Sequence, residues 1–467
     1  MHIRPFTIEG GLERLFAATA ELPYAFFLES GLPAGGLGRY SFIGYDPFAV
    51  WRVRPGGDAE VCWRDGRIER LPGEPLMALR AFHARFAVES APGVRLPFAG
   101  GAVGFFSYEF GLRFEGIVRT SPDDLVLPEA ESAFYDAVIA CDQETGEIML
   151  ASALADQAAA EAAMTRIETI AREALAQQRE QSAQSSRREP VRLTSNFTQA
   201  AYEDAVRRVK DFIRSGDVYQ INLSQRFEMP LLETPARLYA RLRRKSPAPY
   251  GCFLNFGALQ VAGVSPERFL RVENGCVITR PIKGTRPRGR DAEEDAALKN
   301  ELAQSTKDRA ELLMIVDLER NDLGRVCVPG SISVAELFAL EAHPTVWHQV
   351  AEISGRLAPG RDIFDCVRAA FPGGSITGAP KVRAMQIIDE LEPHRRHLYT
   401  GAMGYLGFDG RAELNIAIRT ITCTNGRAYF HAGGGVVWDS DPTAEYEETL
   451  TKARALRAAL EAAGDDS

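Results

Sequence analysis

The chain has 467 residues, 45% of them hydrophobic and 25% charged, the balance of a soluble globular protein with room for two large domains. Its net charge of −9 argues against a general nucleic-acid surface. No run approaches the ~20 apolar residues that span a bilayer, and Met1 to Phe6 lacks a signal-peptide core, so no membrane partner is expected. The seven cysteines are scattered, with no CxxC, and no His/Cys cluster has zinc spacing. They read as reduced thiols of a cytoplasmic protein.

In chain order, Phe26–Ser30 and Gly38–Gly44 read as two short strands around a Gly/Pro-rich loop. Val61 to Ile68 reads as a hairpin, because Asp65-Gly66 suits a type I′ turn. Residues 75–88 read as a helix. Gly100 to Phe106 is glycine-rich and apolar, which suits a strand packed closely on another backbone. Phe134–Cys141 and Ile148–Ala151 are further strands, followed by an Ala-rich helix from about 154 to 177. The Gln/Ser/Arg-rich stretch 177–190 reads as a linker between an N-terminal domain, 1–176, and a C-terminal domain, 191–467.

The second half opens with a helix. Tyr202, Val206, Val209 and Ile213 share a face, Thr198 is the cap and Gly216 the stop. In the strand Asp217–Phe227 the apolar face is Tyr219, Ile221, Leu223 and Phe227. The opposite face, Gln220, Asn222, Ser224 and Arg226, fits either solvent or the wall of a polar pocket. Asn274-Gly275, Asp409-Gly410 and Asn425-Gly426 repeat the hairpin signal. Antiparallel sheets with helices between groups of strands make this an α+β fold.

Several groups of residues could carry chemistry. Thr279 to Gly289 holds Lys283 among Arg280, Arg286 and Arg288. Crowding by cations predicts a depressed amine pKa and a nucleophilic lysine, although an exposed basic loop fits the same residues. Asp308 and Glu311, and Glu445 and Glu448, are pairs three apart on predicted helices. Each fits a solvated face; the two pairs together would suit Mg²⁺. Ser375 to Lys381 resembles a phosphate loop but lacks the Gly-Lys step, and suits a carboxylate at the start of a helix better than a nucleotide. Gly433, Gly434 and Gly435 mark a second close backbone approach. Arg419, read as part of an apolar strand, needs an anion, from the protein or from a substrate. His348 fits a satisfied core histidine or a site residue.

With these segments in view, the chain resembles the chorismate-utilising enzymes, the family of anthranilate, aminodeoxychorismate, isochorismate and salicylate synthases. The resemblance rests on Asp217–Phe227, Ser265–Phe269, Pro281–Thr285, Asp317–Gly324, Ser375–Lys381, Gly401–Tyr405 and Asp439–Pro442, in that order. It implies large antiparallel sheets forming a sandwich core with helices outside. Lys283, Asn222 and Ser375 resemble the aminodeoxychorismate-forming branch, where the lysine attacks C2 of chorismate and ammonia then enters at C4. By position, Glu267 is implied as general acid and His348 as a residue near the ring. Glu311 and Glu448 are implied as Mg²⁺ ligands, with Asp308 and Glu445 close by. Thr285, Ser375, Tyr405, Arg419, Lys452 and the Gly433–Gly435 backbone are implied as substrate contacts. Gln220 stands where isochorismate-forming relatives carry a water-activating lysine. Ser30, Arg39, Pro249, Tyr250 and Gly251 match the lining of a family tryptophan pocket. The chain shows no glutaminase motif, so a separate glutaminase subunit is expected to supply ammonia.

Overall fold

The computed structural model describes residues 1–31, 38–89, 93, 96–178 and 192–462. Two sheets of twelve strands dominate, each a path of eleven with one strand off it (Gly378–Ala379 in the first, Ser333–Ala342 in the second), and the described strand pairs are all antiparallel. The first sheet runs from His2–Pro5 through Ile148–Ser152, Val138–Asp142, Tyr40–Gly44 and Phe26–Glu29. It continues through Tyr250–Phe256, Leu259–Ser265, Thr420–Thr424, Arg427–Val436 and Gln220–Pro230 to Thr194–Ser195. The second runs from Ile282–Pro287 through Val346–Arg356, Cys276–Arg280, Arg268–Glu273, Ala412–Ile416 and Ala402–Gly407. It continues through Gly101–Phe106, Ala130–Tyr135, Ala49–Val53 and Ala59–Trp63 to Ile68–Leu71. Each sheet therefore joins strands from both halves of the sequence. The joins are Phe26–Glu29 on Tyr250–Phe256, and Gly101–Phe106 on Ala402–Gly407.

The strand period of two builds the layers. Phe26 and Phe42 enter a core shared with Trp51, Phe105, Phe134 and Leu270 of the other sheet. Their neighbours Phe27 and Ile43 point the other way, into a second core closed by the helices Gly11–Thr19, Gln157–Gln178, Pro235–Lys245 and Pro442–Glu461. The result is the expected sandwich with helices outside. Gly101 and Gly104 let the second sheet close at its join. A Cβ on Gly104 would run into the carbonyl of Glu131, and one on Gly101 into that of Leu406.

The hairpins form at each signal, but at Asp65-Gly66 and Asp409-Gly410 only the glycine has positive φ, so the type I′ turn expected at Asp65-Gly66 is not formed. Asn274 and Gly275 have φ of 52° and 71°, the left-handed pair that a type I′ turn requires. The helix at Gln199–Arg214 is capped by the Thr198 side chain, which accepts from Ala201 N. Other boundaries differ. The helix from Pro75 stops at Ala84, and the expected strand 134–141 is two strands that part at Asp136 and Ala137. The expected linker falls on undescribed residues, apart from Gln177 and Gln178, which end the long helix.

Candidate active site

Lys283 lies on the short strand Ile282–Pro287. Its pairing with Val346–Arg356 slips between Ile282 and Thr285, so Lys283 and Gly284 form a bulge, with Gly284 at φ 78°. A bulge re-aims a side chain. Here the Lys283 ammonium donates to the carbonyl of Ser375 at 3.0 Å. Burial is the main cause that lowers the Lys283 pKa, and the charge of Lys452 adds to it. This corrects the expectation of arginine crowding. Arg280 pairs with Glu336 and Glu341, Arg286 with Glu301 and Asp308, and Arg288 with Asp295.

The same serine serves the second residue. Ser375 Oγ donates to Glu267 Oε1 at 2.6 Å. Glu267 is buried, and its backbone-side donor is Ile282 N at 3.4 Å. Burial raises the Glu267 pKa, opposed by the Ser375 hydroxyl and the charge of Lys283. A carboxyl held up in this way keeps its proton to higher pH than an exposed one, which is what a general acid needs.

Thr285 pairs directly with His348 across the strands, and Thr285 Oγ1 shares a 2.9 Å hydrogen bond with His348 Nδ1. Among the described residues, His348 Nε2 has no partner. Burial and then the charge of Arg419 hold His348 well below its usual pKa, so it is neutral. Arg419 does not lie in a strand, as the sequence suggested. It turns between Ala412–Ile416 and Thr420–Thr424 with φ 49°. Its guanidinium has no ion pair or hydrogen bond among the described residues, and burial lowers its pKa. A desolvated arginine without an internal anion is prepared to receive one from outside.

The helices Thr306–Gly324 and Pro442–Glu461 bring their acids together. Glu311 is raised by burial, with the charges of Asp308 and Glu448 adding to it. Glu445 is raised by burial and by Glu448; Ser440 Oγ donates to its Oε1 at 2.6 Å, while Oε2 is buried without a partner among the described residues. Burial also works to raise Glu448, but Lys452 at 2.6 Å prevails and lowers it. Lys452 donates to the Gly433 carbonyl at 3.0 Å as well. Gly434 leaves room for the acids: a Cβ there would lie 3.1 Å from Glu448 Oε1 and 3.2 Å from Glu445 Oε2. Asp308 is committed to Arg286 at 3.1 Å. Among the described residues, no three His, Cys, Asp or Glu side chains stand ready-made as a metal cluster. Glu311, Glu445 and Glu448 still fit a hard divalent cation. They are oxygen donors, mutually repelling, and one has an orphaned oxygen.

An amine, a raised carboxyl, an unpaired guanidinium and a knot of carboxylates thus lie within reach of one another's charges or of a shared neighbour. Comparison with known proteins now decides the family. The chorismate binding enzyme family pattern matches residues 62–458. The chain is a chorismate-utilising enzyme. It is 41% identical to aminodeoxychorismate synthase component 1 of Salmonella typhimurium, over 96% of each chain. It is 40% identical to anthranilate synthase component 1 of Cereibacter sphaeroides, over 94% of this chain and 89% of that one. The anthranilate synthase component I structure from Streptococcus pneumoniae superposes with a TM-score of 0.77 at 33% identity, covering 91% and 92% of the two chains.

Not every residue expected at the site of this chorismate-utilising enzyme is brought to it. Tyr405 packs in the core, with ring centroids 4.7 Å from Phe98 and 6.0 Å from Phe42, and its charged neighbours are Glu413, Arg271, Arg411 and Glu273. Tyr399 was missed. It lies beside Asn222, feels the charge of Lys452 and stacks on His431 at 5.0 Å. The signal was a second tyrosine six residues upstream in the same segment. Lys381 holds Asp322 at 2.6 Å and the Ala370 carbonyl at 2.8 Å, so the phosphate-loop lookalike is a structural tie.

The polar face of the Gln220–Pro230 strand is interior. Ser224 donates through N and Oγ to Glu392, which Arg396 grips at 2.6 Å, and Arg226 binds Asp124. Tyr219, expected on the apolar face, precedes the strand and is 73% exposed. A separate cavity of about 210 Å³ is lined by Glu29, Ser30, Arg243, Arg244, Ala248 and Gly251, among others. Two of the five expected tryptophan-pocket residues, Ser30 and Gly251, line it. Arg39 instead pairs with Asp142 at 2.5 Å, and Tyr250 lies beneath the Arg268 guanidinium. Pro249 is not in the lining.

Proposed function

We propose that this enzyme is an aminodeoxychorismate synthase component I, converting chorismate and ammonia to 4-amino-4-deoxychorismate and water. The observation that carries the reading is Lys283, whose amine is desolvated beside the acid Glu267 through one shared residue, Ser375. A lysine of lowered pKa is a competent nucleophile. Its nitrogen bonds to C2 of the ring as the C4 hydroxyl departs with the Glu267 proton, as water. Ammonia then bonds at C4, the ring double bonds shift back, and the C2–N bond breaks to return the lysine. The protons shed by the two nitrogens restore Glu267 and the amine. Arg419 and Lys452 supply cationic partners for the two substrate carboxylates. Glu311, Glu445 and Glu448 would hold Mg²⁺, which supplies further positive charge for a substrate carboxylate. Neutral His348 offers Nε2 to the ring region without adding charge.

A glutaminase subunit supplies the ammonia in this reading, which the designation of the relatives as component 1 supports. The second reading, anthranilate synthase, is favoured by the 40% identity to that component of Cereibacter sphaeroides. Amination at C2 does not need a lysine there, so Lys283 separates the two.

The deciding experiment is intact-protein mass spectrometry with chorismate and Mg²⁺, without ammonia, on wild type and Lys283→Ala. An adduct of dehydrated substrate on wild type alone, mapped to Lys283, supports the covalent route. If no adduct forms and Lys283→Ala still makes anthranilate at the wild-type rate, the second reading replaces the first.

A further inference from the structure

The loop that carries Ser375 is held at its base by a cation that the proposed reaction does not use. The helix Ile363–Ala370 ends on one side of this loop, and the helix Lys381–Leu391 begins on the other. Lys381 reaches back across the gap. Its ammonium donates to the Ala370 carbonyl at 2.8 Å and to Asp322 Oδ2 at 2.6 Å. The ion pair is buried, its two side chains 9% and 3% exposed. Asp322 belongs to the helix Thr306–Gly324, which also carries Glu311. One amine thus joins the two ends of the loop to each other and to that helix. The tie reaches the turn of Ser375 by packing. Asp322 and Ala370, the two acceptors of Lys381, line a cavity of about 10 Å³ together with Gly373 and Gly374. Gly374 opens the short turn Gly374–Ile376, and a Cβ on it would stand 2.7 Å from Leu318 Cδ2 of the same helix. The far half of the loop is held differently: Asn222 N donates to the Thr377 carbonyl at 2.8 Å, and Tyr219 N to the Ala379 carbonyl at 2.7 Å. Ser375 lies between these two holds.

We propose that Lys381 is a positioning residue for Ser375: by gripping Ala370 and Asp322 it seats the Gly373–Ser375 turn on the helix Thr306–Gly324, and so sets the contacts of that serine with Lys283 and Glu267. The inference rests on the reading of those two residues as nucleophile and acid. Ser375 serves one through its carbonyl and the other through its hydroxyl, so a small displacement of the turn disturbs both hydrogen bonds at once. Arg419 and Lys452, the proposed partners of the substrate carboxylates, lie outside the loop and do not depend on it.

The test is a cycle of four proteins: wild type, Ser375→Ala, Lys381→Met with Asp322→Asn, and all three changes combined. Removing both charges together leaves no unpaired ion in the interior. Should that pair of changes not fold, Lys381→Arg, which keeps a cation but spreads it over a planar fork, takes its place. Chorismate consumption with ammonia is followed, whichever product forms. The paired change should lower kcat about tenfold or more, as loss of a hydrogen bond to a charged group does, while the Kd for chorismate stays within about twofold. Ser375→Ala should cost much less in that background than in wild type, because the serine is already out of place. Losses that simply multiply would overturn the proposal, as would an unchanged kcat or a Kd that rises in step with the fall in kcat. ¹³C NMR of labelled glutamate gives a readout that needs no turnover, with Glu267 assigned by its absence in Glu267→Gln. The Ser375 hydroxyl favours ionised Glu267, so the titration should move to higher pH in Ser375→Ala, move likewise in the paired change, and move no further in the combined protein. A wild-type titration in the paired change would show the serine still in place and refute the role. If wild type consumes no chorismate, the functional reading falls, while the NMR titration still decides the tie.

Discussion

The ammonium of Lys283 lies 3.0 Å from the carbonyl oxygen of Ser375, and the hydroxyl of that same serine lies 2.6 Å from Glu267. One residue on a short turn thus fixes both the amine and the acid, one through its backbone and the other through its side chain. The two groups have opposite needs. Burial makes the lysine give up its proton more easily and makes the glutamate keep its own. Desolvation thus prepares both for exchange.

Ser375→Ala tests this coupling. The serine hydroxyl favours ionised Glu267, so its loss raises the Glu267 pKa further. The alkaline limb of kcat/KM should move to higher pH. At neutral pH the rate should fall about tenfold or more, since a hydrogen bond to a charged group contributes about 1.5–3 kcal/mol. The backbone contact to Lys283 survives, so the lysine adduct should still form. A rate-versus-pH series and intact-mass measurement on one preparation check both halves.

Arg419→Lys should weaken chorismate binding without weakening the fold. The guanidinium has no protein anion to lose among the described residues, so the melting temperature should be unchanged or higher. A lysine cannot reproduce two parallel hydrogen bonds to a carboxylate, and such a loss costs about 2–5 kcal/mol in a buried pair. The Kd for chorismate, by calorimetry, should rise by a factor of about thirty or more.

Much of the architecture was legible because local rules dominated it. Asn274-Gly275 makes a hairpin in any context that supplies two strands, and the period-2 alternation of Phe26 and Phe27 survives as two cores. The site was less legible, because its chemistry depends on contacts far apart in sequence. Three arginines around Lys283 suggested a cause that their distant acid partners cancel. Arg419 followed an apolar alternation and was read into a strand, yet the chain turns there with positive φ. Tyr405 and Tyr399 sit in one segment, and only the fold tells the core tyrosine from the one beside Asn222 and Lys452.

Mg²⁺ should stabilise the protein through Glu311, Glu445 and Glu448. Without a cation the charge of Glu448 opposes those of Glu311 and Glu445. Binding to the folded state alone adds about 2.7 kcal/mol at a hundred times Kd, a shift of several degrees in melting temperature. Thermal scans with and without Mg²⁺ should show this shift in wild type and little of it in Glu311→Gln. Ca²⁺-sized or larger ions test whether the recess is selective. Loss of the shift in Asp308→Asn as well would mean that Arg286 releases Asp308 to the metal.

Glu109 gives a prediction independent of catalysis. Its side chain is buried in the first turn of the helix Tyr108–Phe114; Oε1 accepts from Arg396 N at 2.9 Å, and Oε2 has no partner among the described residues. Burial pushes its pKa up to about 7. The folded value lies above the ordinary carboxyl value of ~4.3, so between the two the folded protein holds the extra proton. Stability from this group is full below about pH 4.3 and is lost as the pH rises through 7. Glu109→Gln keeps an oxygen for Arg396 N and removes the titration. Its melting temperature should match wild type near pH 5 and exceed it at pH 8. A wild-type advantage at pH 8 would mean that Glu109 is ionised and paired in solution.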